Sequence, residues 1–289
     1  MKNITKEVVD EIIKAENKCI MVLGGIDVGK TVLIENIAKF LSETTDLGIV
    51  DLDMGQSNIG PPTTVGWGMV RNGFENWDSV ELKDIYFVGT TSPMKNLLPL
   101  ITGSQFIIEK ARYYSKKILI DTEGLVLGVI GRILKWNLIS IVKPDIVIVF
   151  ERENELDHIV EIYKNTKAFK IFRIPTPEES KEKSTSTRYN FRKRQISQYF
   201  QNAKTFNISI NQLSLRCYNG ILIDTIPDLK NYIISLRNFY EEDLALGIIE
   251  EYGTERGVIS ITTPKDTLND IRSIIIGGIK INKDGDELK

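Results

Sequence analysis

The chain has 289 residues, of which 42% are apolar and 26% charged, with a formal net charge of −2. These are globular values, long enough for a substantial core in one large domain or a large one beside a small one. The near-neutral balance excludes bulk attraction to nucleic acid or anionic membrane, so either partner must be met by a local patch.

Helical spacing runs over 4–17, and a short apolar run at 18–23 has the form of a buried parallel strand. Residues 24–31 then read GGIDVGKT, a full match to G-x-x-x-x-G-K-[ST]. Helical spacing returns over 30–43 through Val32, Leu33, Ile37, Ala38 and Leu41. Strand, glycine loop and helix in this order make an anion cradle. Gly24 and Gly29 let the backbone turn so that N–H groups and the helix N-terminus face a polyphosphate. The loop predicts a nucleoside-triphosphate site made by Gly24, Gly25, Ile26, Asp27, Val28, Gly29, Lys30 and Thr31. Lys30 can reach the β- and γ-phosphates, and the Thr31 hydroxyl can ligate Mg²⁺.

A strand over 47–53 ends in Asp51 and Asp53, which share a face because they are two apart. Paired carboxylates at a strand end beside a phosphate loop suit Mg²⁺ and the orientation of an attacking hydroxyl. A strand at 85–90, a helix at 98–116 and a strand at 117–121 follow, and the last ends with Asp121 placed for the metal. Glu123, just beyond it, reads as a surface group. A helix at 127–142, a strand at 145–150, a helix at 153–165 and a strand at 168–174 continue the alternation. The fold class predicted is α/β, a P-loop NTPase with a mostly parallel sheet flanked by helices and ligands beyond the strand carboxyl ends.

The stretch 175–187, PTPEESKEKSTST, is poor in apolar residues and reads as a mobile loop. Residues 181–194 hold six cations (Lys181, Lys183, Arg188, Arg192, Lys193, Arg194) against Glu182, a local charge of +5. Arg188 and Arg192, four apart, share one face of a helix. Such a segment suits a cationic lid over a γ-phosphate, worth ~10³–10⁵ in rate in other systems, or a grip on nucleic-acid phosphates. Past 205, FNISI, RCYNGILI, NYIISL, GVISITT and SIIIGGIKI are β-like, with one helical stretch near 238–251. Gly277–Gly278 reads as a strand bend or turn, and NKDGDELK as a frayed tail. The division expected is a P-loop domain over 1–204, with a lid at about 180–200, and a small β-rich domain over 205–289.

Cys19 and Cys217, far apart and one of them in an apolar run, read as reduced thiols. No run reaches the ~18 apolar residues of a membrane span, and the charged start lacks a signal-peptide core, so a cytoplasmic protein is expected. The lone histidine, His158, reads as a surface residue. Trp67, Trp77 and Trp136 read as packing residues, with Trp67 the best placed of them to stack on a base.

GGIDVGKT, DLDMGQ followed by PP, GTTSPMKN at 89–96, IDTEGLVLG at 120–128 with KPDIVIV after it, and RYNFRKRQISQYF at 188–200 form an ordered set. In this order they resemble the polynucleotide 5′-hydroxyl kinases of tRNA splicing, mRNA 3′-end formation and ribosomal RNA processing. The resemblance covers about 18–200. It implies an ATP- and Mg²⁺-dependent, monomeric enzyme that moves the γ-phosphate to the 5′-hydroxyl of RNA or DNA, with RNA-processing proteins as partners. It further implies that Asp53 accepts or orients the hydroxyl proton and that Gln56 helps place metal or phosphate. Thr90, Thr91 and Asn96 would lie in a clasp touching substrate and phosphate, and Arg188 and Arg192 would be the lid arginines. Two positions depart from the family pattern: Leu125 stands where a base-stacking Trp is frequent, and Lys95 where a Thr is common. Acceptor preference is therefore open. The N-terminal β domain of larger members is not expected, because the loop starts 23 residues in. Two other readings stay open, a nucleotide-bound scaffold in an RNA-processing complex and a GTPase switch. The absence of a guanine-reading [NT]-K-x-D sequence weakens the switch but leaves GTP as a conceivable donor.

Overall fold

The computed structural model describes residues 8, 11–12, 18–177, 182–218, 228–253 and 257–288. The helix expected over 4–17 lies outside these except for Val8, Glu11 and Ile12, which are helical. The described chain forms two seven-stranded sheets.

The first sheet contains β1 (Lys18–Gly24), β2 (Leu47–Asp51), β3 (Thr64–Val70), β4 (Glu81–Phe87), β5 (Lys117–Asp121), β6 (Ile146–Glu151) and β7 (Lys170–Pro175). Its spatial order is β4-β3-β2-β5-β1-β6-β7. The five strands from β2 to β7 along that order are parallel, and β3 and β4 complete one edge antiparallel. The helices are α1 (Lys30–Ser42), α2 (Leu97–Tyr114) and α3 (Gly128–Val142). Alternation along β1 explains the layers: Ile20 and Val22 pack with Leu33, Ile34 and Ile37 of α1, whereas Met21 and Leu23 pack with residues of α2 and α3.

This part of the molecule departs from the sequence reading in three places. Residues 64–70 form a fully buried strand although Gly66 and Gly68 lower its propensity, because β2 and β4 pair with it on both sides. The strand expected at 85–90 begins at Glu81 and ends at Phe87. The helix expected over 153–165 shrinks to one turn, α4 (Asp157–Val160), followed by a 3₁₀ turn at Glu161–Tyr163.

After α5 (Thr185–Phe200) comes the second sheet: β8 (Lys204–Ser209), β9 (Ser214–Cys217), β10 (Tyr232–Arg237), β11 (Asp243–Gly253), β12 (Val258–Thr263), β13 (Ser273–Ile281) and β14 (Glu287–Leu288). The helix expected near 238–251 is instead β11, hydrogen-bonded to β10 on one side and β12 on the other. Its Leu, Ala and Glu content favours a helix locally, but two-sided pairing and burial of Leu246, Ile248 and Ile249 override that preference. The expected frayed tail is also ordered, since Glu287–Leu288 pairs with Lys280–Ile281 of β13.

The two sheets share an apolar seam. Ile85 and Phe87 of β4 pack with Ile196 and Phe200 of α5 and with Ile233, Leu246 and Ile275 of the second sheet. Gly277–Gly278 sits within β13, where the register to β10 shifts, and the Gly278 N–H donates to the Gly89 carbonyl at 2.8 Å. The second sheet is thereby fastened directly behind residues 89–96. Both cysteines are free, and no helix among the described residues is long and apolar enough to cross a membrane.

Candidate active site

The carboxyl ends of β1, β2 and β5 converge on one cavity. At the end of β1 the chain leaves no room for a side chain: a Cβ on Gly24 would lie 2.5 Å from the Phe150 carbonyl oxygen. Gly29, at φ +98°, turns the loop into α1 and, as the N-cap, offers no side chain to the first N–H groups of that helix. The helix start is thus left with donors for an anion. Lys30 is buried, and its Nζ donates to the Gly25 carbonyl at 2.7 Å.

The cavity has a volume of about 550 Å³. Ile26, Asp27, Gly29, Lys30 and Thr31 line it from the loop, Asp53, Gly55 and Gln56 from the segment after β2, Thr91 from the clasp, and Asp121, Glu123 and Leu125 from the segment after β5. Arg188 and Arg192 line it from α5. Gly24, Gly25, Val28, Asp51, Thr90 and Asn96 are not among its lining residues.

Asp51 is buried, with Oδ1 accepting the Asp53 N–H at 2.9 Å and Oδ2 the Asn58 N–H at 2.7 Å. Both oxygens therefore shape the loop that carries Asp53. Asp53 Oδ1 accepts the N–H groups of Gly55 and Gln56, each at 2.9 Å, and among the described residues its second oxygen accepts none. Thr90 Oγ1 accepts the Ser92 N–H at 3.3 Å, and Asn96 Nδ2 donates to the Val88 carbonyl at 2.8 Å, so both brace the clasp in this conformation. Gln56 Nε2 reaches across to the Arg188 carbonyl at 3.3 Å.

Asp121 pairs in register with Asp51 across β5 and β2. Burial raises the pKa of both carboxyls, that of Asp121 to about 6; neighbouring acids raise both further, while Lys30 partly offsets the rise at Asp121. Among the described residues Asp121 Oδ1 is buried without a hydrogen-bond partner. An unpartnered buried carboxylate oxygen at a cavity that also holds the Thr31 hydroxyl fits a hard divalent cation. Thr31 and Asp121 are thus the residues that could hold Mg²⁺, with water and phosphate oxygens as further ligands. Among the described residues no group of three or more His, Cys, Asp or Glu could hold a metal by itself.

On α5, Ser184 caps the helix by accepting the Thr187 N–H at 3.1 Å. The expected loop at 175–187 is interrupted at 178–181, outside the described residues, and its last part already belongs to the helix. The Arg188 guanidinium pairs with Asp27 of the phosphate loop, whose carboxylate also accepts the Lys183 N–H at 2.7 Å. Arg192 Nε donates to Glu287 Oε1 at 2.6 Å.

The family model for the mRNA cleavage and polyadenylation factor CLP1 P-loop matches residues 24–202. The chain belongs to this family. A polyribonucleotide 5′-hydroxyl-kinase of Methanocaldococcus jannaschii is 29% identical over 322 aligned positions, covering 93% of this chain and 88% of the relative. A polyribonucleotide 5′-hydroxyl-kinase of Pyrococcus furiosus is 27% identical, covering 93% of this chain and 89% of the relative. Among solved structures, Clp1p in its complex with Pcf11p superposes with a TM-score of 0.74 over 96% of this chain and 80% of that one, at 13% identity. That likeness extends the shared fold to the second sheet.

Within this CLP1-type site the structure corrects several side-chain expectations. Glu123 is not a surface group: it is 2% exposed and ion-paired with Lys135, itself fully buried on α3. Lys135 Nζ also donates to the Glu123 carbonyl at 2.6 Å, and Glu123 Oε2 accepts the Leu125 N–H at 2.6 Å. Burial pulls the Lys135 ammonium below its ordinary pKa, and the adjacent carboxylate pulls it back part of the way. The one sequence signal for this pair was a lysine on the same helix face as Gly131, Leu134 and Leu138. Lys135→Met is expected to destabilise the fold by about 3–5 kcal/mol in urea unfolding, because it strands a buried carboxylate. A loss below ~1 kcal/mol would show the pair to be energetically idle.

Trp67 cannot receive a base. It is 1% exposed, its Nε1 donates to Asp84 at 2.9 Å, and its ring stacks on Tyr114. Trp77 and Trp136 are likewise committed, to Glu35 and to the Ile159 carbonyl. His158 is half-buried rather than on the surface, with a ring nitrogen 2.8 Å from the Val126 carbonyl oxygen. Leu125 lines the cavity, whereas Lys95 is exposed outside it.

Proposed function

We propose that this chain is a polyribonucleotide 5′-hydroxyl kinase that transfers the γ-phosphate of ATP to the 5′-hydroxyl of RNA. The observation that carries this reading is the meeting of Lys30, Thr31, Asp53, Asp121, Arg188 and Arg192 on one cavity. Two relatives that align over nearly the whole chain and bear that kinase name support it.

Phosphoryl transfer needs charge and alignment more than covalent chemistry from the protein. The 5′-hydroxyl oxygen forms a bond to the γ-phosphorus as the bond to the β-phosphate oxygen breaks, and ADP leaves. Asp53 is the acceptor of the hydroxyl proton: one oxygen is fixed by two N–H groups and the other carries no hydrogen bond among the described residues. Asp51 stands behind it and sets its loop. Lys30 supplies positive charge at the β- and γ-phosphates, and its contact with the Gly25 carbonyl must be exchanged for phosphate. Mg²⁺ held by Thr31 and Asp121 would neutralise charge on the same phosphates. Arg188 and Arg192 face the charge that spreads in the transition state, and Gln56 secures the lid through the Arg188 carbonyl. From the clasp segment, Thr91, Ser92, Pro93 and Met94 line the cavity.

The test is transfer from γ-labelled ATP, with GTP as a second donor, to 5′-hydroxyl RNA and DNA oligonucleotides in the presence of Mg²⁺. Label is expected on RNA in preference to DNA, and Asp53→Asn should lower turnover ~10²-fold or more with ATP affinity little changed. No transfer to any oligonucleotide despite tight ATP binding would overturn the kinase reading in favour of a nucleotide-bound scaffold.

A further inference from the structure

The ordered C-terminal hairpin grips α5 at consecutive turns. The Tyr189 hydroxyl donates to Asp286 Oδ1 at 3.0 Å, and the Lys193 ammonium pairs with the same carboxylate. One residue further along the hairpin, Glu287 Oε1 accepts from Arg192 Nε at 2.6 Å. Gly285, at φ +85°, lies so close to the Lys193 carbonyl that a side chain there would collide with it. The hairpin is itself rigid. Asn282 Oδ1 accepts the Asp286 N–H at 2.8 Å, the Gly285 N–H bonds the Asn282 carbonyl at 3.0 Å, and β14 pairs with β13.

The chemistry of the Arg192 contact differs from that of its neighbours. Tyr189 and Lys193 are anchoring contacts, whereas Arg192 lines the cavity. A guanidinium has five N–H donors in a rigid plane, and its two terminal amino groups can clasp a phosphate while Nε is held by another acceptor. A carboxylate on Nε fixes the plane while leaving terminal donors for a second anion. Among the described residues Glu287 is the one carboxylate paired with Arg192.

We propose that Glu287 is the positioning residue for Arg192, so that the end of the second sheet aims a lid arginine at the transferring phosphate. This inference rests on the kinase reading above. It gives the second sheet a part in the reaction: the hairpin is a template against which the lid helix is set.

The experiment is a double-mutant cycle on the full chain with Glu287→Ala, Arg192→Ala and the pair combined, followed by kcat and both KM values. Glu287→Ala should lower kcat about 10-fold, as expected for a lost charge-assisted hydrogen bond, with KM for ATP and for RNA changed less than about 2-fold. Glu287→Gln, whose amide oxygen can still accept from Nε, should recover a large part of the loss. In the Arg192→Ala background, Glu287→Ala should change kcat less than about 2-fold. Equal losses in both backgrounds, or no loss in either, would overturn the proposal. A second readout is the Arg192 Hε resonance, assigned by its disappearance in Arg192→Lys. It should exchange slowly with solvent in the unsubstituted protein and rapidly in Glu287→Ala. Fast exchange in the unsubstituted protein overturns the positioning contact, whereas slow exchange in a protein without transfer activity would mean that the kinase reading alone had failed.

Discussion

Lys30→Ala is expected to lower phosphoryl transfer by at least ~10³-fold, the upper end of what one preorganised electrostatic donor contributes. Its ammonium donates to a loop carbonyl and, among the described residues, forms no ion pair with a carboxylate, although its charge partly offsets the burial of Asp121. The buried stem is the part that packs, which makes Lys30→Met the control that keeps the stem and removes the charge. Both variants should melt within a few degrees of the unsubstituted protein and lose transfer to the same extent. Single-turnover transfer and a thermal melt on the same preparations decide it. Near-normal transfer in a folded Lys30→Met protein would remove the loop from the reaction.

Replacing Arg188 and Arg192 together with alanine should cost ~10³-fold or more in turnover, the scale of an arginine finger. Their ion pairs, with Asp27 and Glu287, involve partly exposed arginine side chains, so each contributes at most about 1 kcal/mol to stability and the melt should move only slightly. The two arginines should separate on closer measurement. Removing Arg188 alone leaves Asp27 unneutralised within the phosphate loop, so ATP binding should weaken as well. Adding Asp27→Asn should restore the affinity without restoring turnover. If the double alanine variant instead keeps its rate and binds oligonucleotide more weakly, with steeper loss at high salt, the arginines serve as a backbone grip.

The parts legible in the sequence were those encoded within a few consecutive residues. GGIDVGKT specifies its own loop because glycine positions and a helix start decide where N–H groups point, whatever surrounds them. The alternation of apolar strands and helical spacing gave the layered α/β class for the same reason. Asp53 was legible as one of two acids closing an apolar run, although the strand stops at Asp51 and Asp53 fixes its own turn through local N–H groups.

Tertiary structure decided what depends on a partner distant in sequence. Asp51 and Asp53 look equivalent in DLDMGQ, yet the Asp53 and Asn58 N–H groups consume both oxygens of Asp51 and leave only Asp53 facing the cavity. Glu123 reads as a surface acid until α3 brings Lys135 against it. Trp67 reads as a possible base platform until Asp84 and Tyr114 close over it. Residues 243–253 carry helix-favouring side chains, and only β10 and β12 on either side make them a strand. The tail residues Asp286 and Glu287 belong to the lid because β13 ends beside α5. A side chain's own chemistry is written locally, but whether it meets solvent, a counter-charge or a substrate depends on segments that only the folded chain brings together.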